Sequence, residues 1–245
     1  MKFAPATAAA LAAATVMGSA LADGPTVQFN LSSPGGGTAW NSAGVYSGSG
    51  NTYQYIGSQN GSGWSVAYNM IGSDTWAQSL GVLGGSLTLT NTSSVTQTFS
   101  LSILLPTLAQ GTSSMTGGSV SGVLTADADG GSFTSAGGLA GWTAFLVPAG
   151  GGSPFTLASL LNAPYSVTAL PFEVANLPGE SFGDPIPNLP SPAMGDGMGI
   201  TLNFQLGAGD KVDFTTVLVM QAVPTPGALA LVSAAGLLGS RRRKA

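Results

Sequence analysis

The stretch Ile200-Thr201-Leu202-Asn203-Phe204-Gln205-Leu206-Gly207-Ala208-Gly209-Asp210-Lys211-Val212-Asp213-Phe214-Thr215-Thr216-Val217-Leu218-Val219-Met220 decides the fold class. In an extended chain successive side chains point to opposite faces, so a period of two marks a half-buried strand. Ile200, Leu202, Phe204 and Leu206 share one face before the Gly207-Ala208-Gly209-Asp210 turn, and Val212, Phe214, Thr216, Leu218 and Met220 share one face after it. Two antiparallel strands joined by a Gly-rich turn follow.

The same pattern recurs toward the N-terminus. Val27, Phe29 and Leu31 alternate with Gln28 and Asn30; Trp64, Val66, Tyr68 and Met70 alternate with Ser65, Ala67 and Asn69. The run Thr52 to Ile56 is separated from the latter by a turn containing Asn60-Gly61, a dipeptide suited to hairpins. Leu87 and Leu89 lie on a strand that ends at Asn91-Thr92-Ser93-Ser94, and Phe99, Leu101 and Ile103 lie on the next, with Ser100 and Ser102 facing the other way. No body segment carries apolar residues at helical spacing over three turns. Residues 23–221 are therefore expected to form one all-β body, an antiparallel β-sandwich of either the immunoglobulin-like or the jelly-roll kind. From Pro171 to Gly199 the chain holds Pro171, Pro178, Pro185, Pro187, Pro190 and Pro192. Proline lacks the ladder N–H, so this segment reads as a long acidic surface loop, neither helix nor central strand.

Composition narrows the chemistry. The 245 residues include 37 Gly and 15 Pro but no Cys and no His, and charged residues make up 7% where about 25% is usual. Ser-His-Asp and Cys-His nucleophilic sites, His or Cys metal sites and disulfides all require side chains that are missing. Five of the six basic residues sit at the extremes (Lys2, Arg241, Arg242, Arg243 and Lys244), and Lys211 alone lies between them among all ten acidic residues. A body of that sign repels phosphate backbones, so nucleic acid is not an expected partner.

Both ends read as targeting segments. Met1 and Lys2 precede an apolar stretch from Ala8 to Met17, and Ala20-Leu21-Ala22 supplies the small-residue pattern that signal peptidase cleaves. Residues 1–22 are thus expected to be a signal peptide engaging the secretion machinery, with Asp23 as the new N-terminus. At the other end, residues 222–245 run from Val223-Pro224-Thr225-Pro226-Gly227 through an Ala- and Leu-rich stretch to Arg241-Arg242-Arg243-Lys244. The 15 residues from Pro226 to Ser240 rise about 22 Å as a helix, short of a hydrocarbon core of about 30 Å. Basic residues behind an apolar segment hold that end on the cytoplasmic side.

This three-part tail resembles the PEP-CTERM sorting signals, in which a Pro-Glu-Pro motif precedes an apolar helix and an Arg-rich end. The matching positions are Pro224, Thr225 and Pro226, with Thr at the acidic centre, in a Val-Pro-Thr-Pro-Gly variant. The resemblance implies sorting by an exosortase-like membrane protease, transient insertion in the inner membrane, and delivery to the cell envelope, cell surface or extracellular matrix. It implies no common activity for the body.

Candidate sites in the body are few. Asp127-Ala128-Asp129-Gly130-Gly131 resembles the opening of a calcium loop, but no third ligand and no closing Glu follow, so Asp127 and Asp129 are expected to serve a hairpin turn without metal. Trp40, Trp64 and Trp76 with Tyr46, Tyr53, Tyr55 and Tyr68 concentrate in one region, with Gln54, Asn60 and Asn69 nearby for sugar hydroxyls. Tyr53, Tyr55 and Trp64 are accordingly the candidate glycan contacts, against a role in the core. A glycosidase pair would have to come from Glu173, Glu180 and Asp184. The expectation is an exported, non-enzymatic protein of structural or adhesive type without a cofactor. A glycan-binding module is the alternative, ahead of a carboxylate-dependent hydrolase.

Overall fold

The computed structural model describes residues 25–47, 51–75 and 80–223. The cleavage-site residues Ala20, Ala22 and Asp23, the sorting residues Pro224, Thr225, Pro226 and Gly227, the basic end Arg241–Lys244, and Trp76 lie outside the described residues.

The described chain is all strand and connection. In order come β1 (Thr26–Ser33), β2 (Gly36–Ala43), β3 (Val45–Tyr46), β4 (Thr52–Gly61), β5 (Trp64–Thr75), β6 (Leu80–Asn91), β7 (Gln97–Pro106) and β8 (Ser114–Thr125). They continue with β9 (Gly131–Ser135), β10 (Trp142–Val147), β11 (Phe155–Leu160), β12 (Ser166–Ala169), β13 (Val174–Phe182), β14 (Leu189–Ser191), β15 (Gly197–Leu206) and β16 (Lys211–Ala222). One sheet has the order β11-β10-β15-β7-β1-β2, with β9 also on β15 and β12 on β9; the other has β13-β8-β16-β6-β5-β4-β3, with β14 also on β8. Every pairing is antiparallel.

The connectivity resolves the topology. Strands β6, β7, β8 and β9 alternate between the sheets, and the final pair inserts between earlier strands: β15 between β7 and β10, β16 between β6 and β8. This is a jelly roll, not an immunoglobulin-like arrangement. The hairpin β1–β2 widens the first sheet beyond β7, and β3–β5 widen the second beyond β6.

Apolar residues of the alternating segments meet between the sheets. Phe204 of the first sheet lies 5.4 Å from Phe214 of the second and 5.1 Å from Phe133. All three are buried, as are Val27, Phe29, Leu31, Trp64, Val66, Tyr68 and Met70. Removing each such side chain from water contributes about 1.5–3 kcal/mol, which is what holds a body without disulfides together. Trp142 on β10 reaches across the gap, its indole N–H donating to Thr216 Oγ1 on β16 at 2.8 Å.

Two expectations are corrected. The β4–β5 hairpin turns at Ser62-Gly63, with Gly63 at φ +80°, while Asn60-Gly61 remains in the strand. Gly61 pairs with Trp64, and a Cβ on it would overlap the indole, so the glycine is needed for the ring and not for the turn. The Pro-rich segment is not one loop either: it supplies β13 and β14, both against β8. Pro178 is accommodated because it lies in the register shift between Leu177 and Glu180 of an edge strand, where no ladder N–H is required.

Candidate functional site

Of the three aromatics expected to meet a glycan, two are in the core. Trp64 is 2% exposed and stacks 6.3 Å from Trp40; Tyr55 is 0% exposed, and its hydroxyl donates to the Pro25 carbonyl at 2.7 Å. Tyr53 is half-buried against the same core, 5.9 Å from Tyr46. The cause is the phase of β4 and β5, whose odd-numbered and even-numbered positions respectively turn inward. A ring packed between two sheets has no face left for a sugar.

Two of the acidic candidates, Asp127 and Glu180, hold backbone N–H groups, and Asp184 holds a neighbouring hydroxyl. Asp127 Oδ1 accepts the Asp129 N–H at 2.9 Å in a tight side-chain turn, but β8 and β9 belong to different sheets, so this is a crossing between sheets and not a hairpin. Glu180 Oε2 accepts the Leu161 N–H at 2.6 Å, and Asp184 Oδ2 accepts the Ser181 hydroxyl at 2.5 Å. Glu173 lies exposed just before β13, where its carbonyl accepts the Ala126 N–H at 3.0 Å. Among the described residues no three His, Cys, Asp or Glu side chains form a group able to hold a metal ion.

Asp210 escaped the sequence reading because it looks like an ordinary turn residue. It is fully buried, with Oδ2 accepting the Ser132 N–H at 2.9 Å and Oδ1 the Asp127 N–H at 3.3 Å, which ties the β15–β16 turn to the crossing between sheets. Burial raises its pKa above the ordinary carboxylate value, and the nearby Asp127 charge acts the same way; the two backbone donors oppose this without cancelling it. The folded state therefore holds this proton more tightly than the unfolded chain. Its contribution to stability is greatest in acid and falls as pH rises from about 4 through the raised folded value. Denaturant melts of the protein and of Asp210→Asn across that range should show the protein losing stability relative to the variant as pH rises. A protein that gains stability relative to the variant as pH rises would contradict the assignment.

The outer face of the first sheet brings together residues from five strands. Asn30 of β1 lies opposite Ser102 of β7, Ser102 opposite Thr201 of β15, and Thr201 opposite Thr143 of β10; in the adjoining row Ser32 faces Ser100, and Ser100 faces Asn203. These positions alternate with the buried Phe29, Leu31, Leu101, Ile103, Ile200, Leu202 and Trp142, so they point outward by the period of the strands. With Phe145, Pro154 and Thr156 they line a depression of about 310 Å³ that contains no charged side chain. The Ser100 hydroxyl donates to Asn203 Oδ1 at 2.8 Å, and the Thr201 hydroxyl to Ser102 Oγ at 3.4 Å. Phe145 is an apolar residue on this polar face. Its ring lies over Gly199, directly opposite on β15, where a Cβ would overlap the ring, and it forms a floor that is only 6% exposed.

Such a surface offers hydroxyls that both donate and accept, and carboxamides that do the same through separate atoms. It has no nucleophile–base pair and no ionised group.

No family model matches the chain, and no curated protein matches it. Among solved structures, TmCBM61 in complex with beta-1,4-galactotriose is similar at 14% identity, over 64% of this chain and 88% of that one, with a TM-score of 0.26. A structure of infectious bursal disease virus Gx strain is similar at 11% identity, over 87% of this chain and 60% of that one, with a TM-score of 0.22. At such TM-scores neither neighbour bears on the chemistry of the site.

Proposed function

We propose that the body is a glycan-binding module of an exported protein, serving a structural or adhesive role at the cell surface or in the extracellular matrix. The observation that carries this reading is the uncharged depression on the first sheet, where side chains from β1, β7, β10, β11 and β15 converge. Sugar rings present hydroxyls at several angles, and a field of Ser, Thr and Asn groups can exchange hydrogen bonds with them without stripping water from a charge. The expected polysaccharide partner meets the protein here, away from the aromatic cluster around Trp64.

Isothermal titration against a panel of soluble oligosaccharides tests the reading, with Asn203→Ala as the site variant. A bound sugar should lose about tenfold in affinity with the variant, the worth of one good polar contact. Failure of every panel member to bind would overturn the proposal.

Export and sorting rest on the terminal sequences alone. Ala20-Leu21-Ala22 supports cleavage by signal peptidase before Asp23, and Pro224-Thr225-Pro226 with the apolar stretch and Arg241–Lys244 supports processing by an exosortase-like protease after transient anchoring in the inner membrane.

A further inference from the structure

We infer, resting on the glycan reading above, that the ligand is an electrically neutral oligosaccharide segment several rings long, lying across the strands of the first sheet. Charge argues first. None of the side chains lining the depression is ionisable, and Lys211, the only basic residue between Lys2 and Arg241, is on β16 of the other sheet, where its Nζ pairs with Asp213 at 2.9 Å. A uronate or sulfate group placed here would give up water and gain no counter-charge, a large penalty for an anion. An amino sugar fares no better, because no carboxylate lines the depression: Asp196, beside the β10–β11 turn that carries Pro154, is not among the lining residues, and its Oδ2 accepts the Gly150 and Gly151 N–H groups at 2.8 and 3.1 Å.

Dimensions argue second. The lining spans five neighbouring strands, β11, β10, β15, β7 and β1, and four interstrand spacings of about 4.8 Å give about 19 Å. That length suits a run of rings and not one monosaccharide. Third, Asn203 Oδ1 accepts the Ser100 hydroxyl, which leaves its amide N–H groups to donate outward to the hydroxyl and ring oxygens of a sugar.

Affinity electrophoresis of the full chain in gels containing a neutral β-glucan, a neutral galactan, polygalacturonate or chitosan tests this, run at about 0.05 and about 0.5 M salt. A neutral polymer should retard the protein equally at both salt levels. Asn203→Asp preserves the oxygen that accepts from Ser100, so its melting temperature should be unchanged while the retardation constant weakens about tenfold. Preferential retardation by polygalacturonate, preferential retardation by chitosan that persists at the higher salt, or retardation by a neutral polymer that fades with salt overturns the neutral-ligand inference and leaves glycan binding in place. Undiminished retardation of a folded Asn203→Asp variant overturns it as well, because the ligand then lies elsewhere. No retardation by any polymer removes the glycan reading itself.

Discussion

Replacing Trp142 by Ala is expected to destabilise the protein by about 4 kcal/mol, within the range for deleting a large buried aromatic. Trp142 is completely buried and is the largest fully buried side chain among the described residues. Its ring fills space that Gly118 on β8 leaves free, since a Cβ there would approach the indole to 3.2 Å, and it lies 6.0 Å from the Phe182 ring. Gly118 has no side chain with which to fill the void. Trp142→Phe separates packing from hydrogen bonding. It removes the indole N–H, but the Thr216 hydroxyl retains the Ser119 carbonyl as its acceptor at 3.1 Å, so no stranded donor results. The loss should then be about 1–2 kcal/mol. Against a typical total of about 5–15 kcal/mol, the Ala variant consumes a large share of the margin, and urea melts resolve the two variants readily. An Ala variant costing less than about 1 kcal/mol would mean that the two sheets do not close on this ring.

Much of this architecture is written in alternation. The inward positions of β1, β5, β7, β15 and β16 are those that period-two spacing marks, because one face of each strand has to leave water. The choice between jelly roll and immunoglobulin-like topology is not written locally, since it depends on which distant strands pair. Strand β10 shows the limit. In Trp142-Thr143-Ala144-Phe145-Leu146-Val147 the apolar residues do not alternate, because Phe145 faces outward over Gly199, and only the register between β10 and β15 reveals the place made for it.

The candidate site was invisible for the same reason. Asn30, Ser102, Thr201 and Thr143 each read as an ordinary solvated position, and they become one surface only when β1, β7, β15 and β10 are set side by side. The aromatic cluster misled in the opposite direction: Tyr55 and Trp64 have the chemistry that stacks on sugars, but they sit at inward positions of their strands, and burial took precedence. Proline also had two meanings. Pro178 argues against a central strand, and the edge strand β13 has a place for it at its register shift.

Removing Arg241 to Lys244 is expected to abolish C-terminal processing while leaving the fold intact, on the proposed sorting route. The apolar stretch Ala228 to Ser240 is too short and too rich in Gly and Ala to be a durable span, so its orientation depends on the cations that follow it. Without them the segment loses the cytoplasmic stop that would hold Pro224-Thr225-Pro226 just outside the membrane, within reach of an embedded protease. Among the described residues the last strand ends at Ala222 and the core runs from Val27 to Met220, with Ala222 the final buried residue, so the deletion leaves every described strand and core side chain in place. Truncated and full-length chains purified after cytoplasmic expression without the signal peptide should therefore melt at the same temperature. In native cells the two should differ completely, with the full-length chain yielding a mature form that lacks its tail and the truncated chain accumulating unprocessed. An ordinary permanent anchor makes the contrary prediction for the full-length chain. Mass spectrometry of its mature population decides the matter, because dominant peptides containing Leu237 and Leu238 would show that the tail stays on and that Pro224-Thr225-Pro226 is not a processing signal.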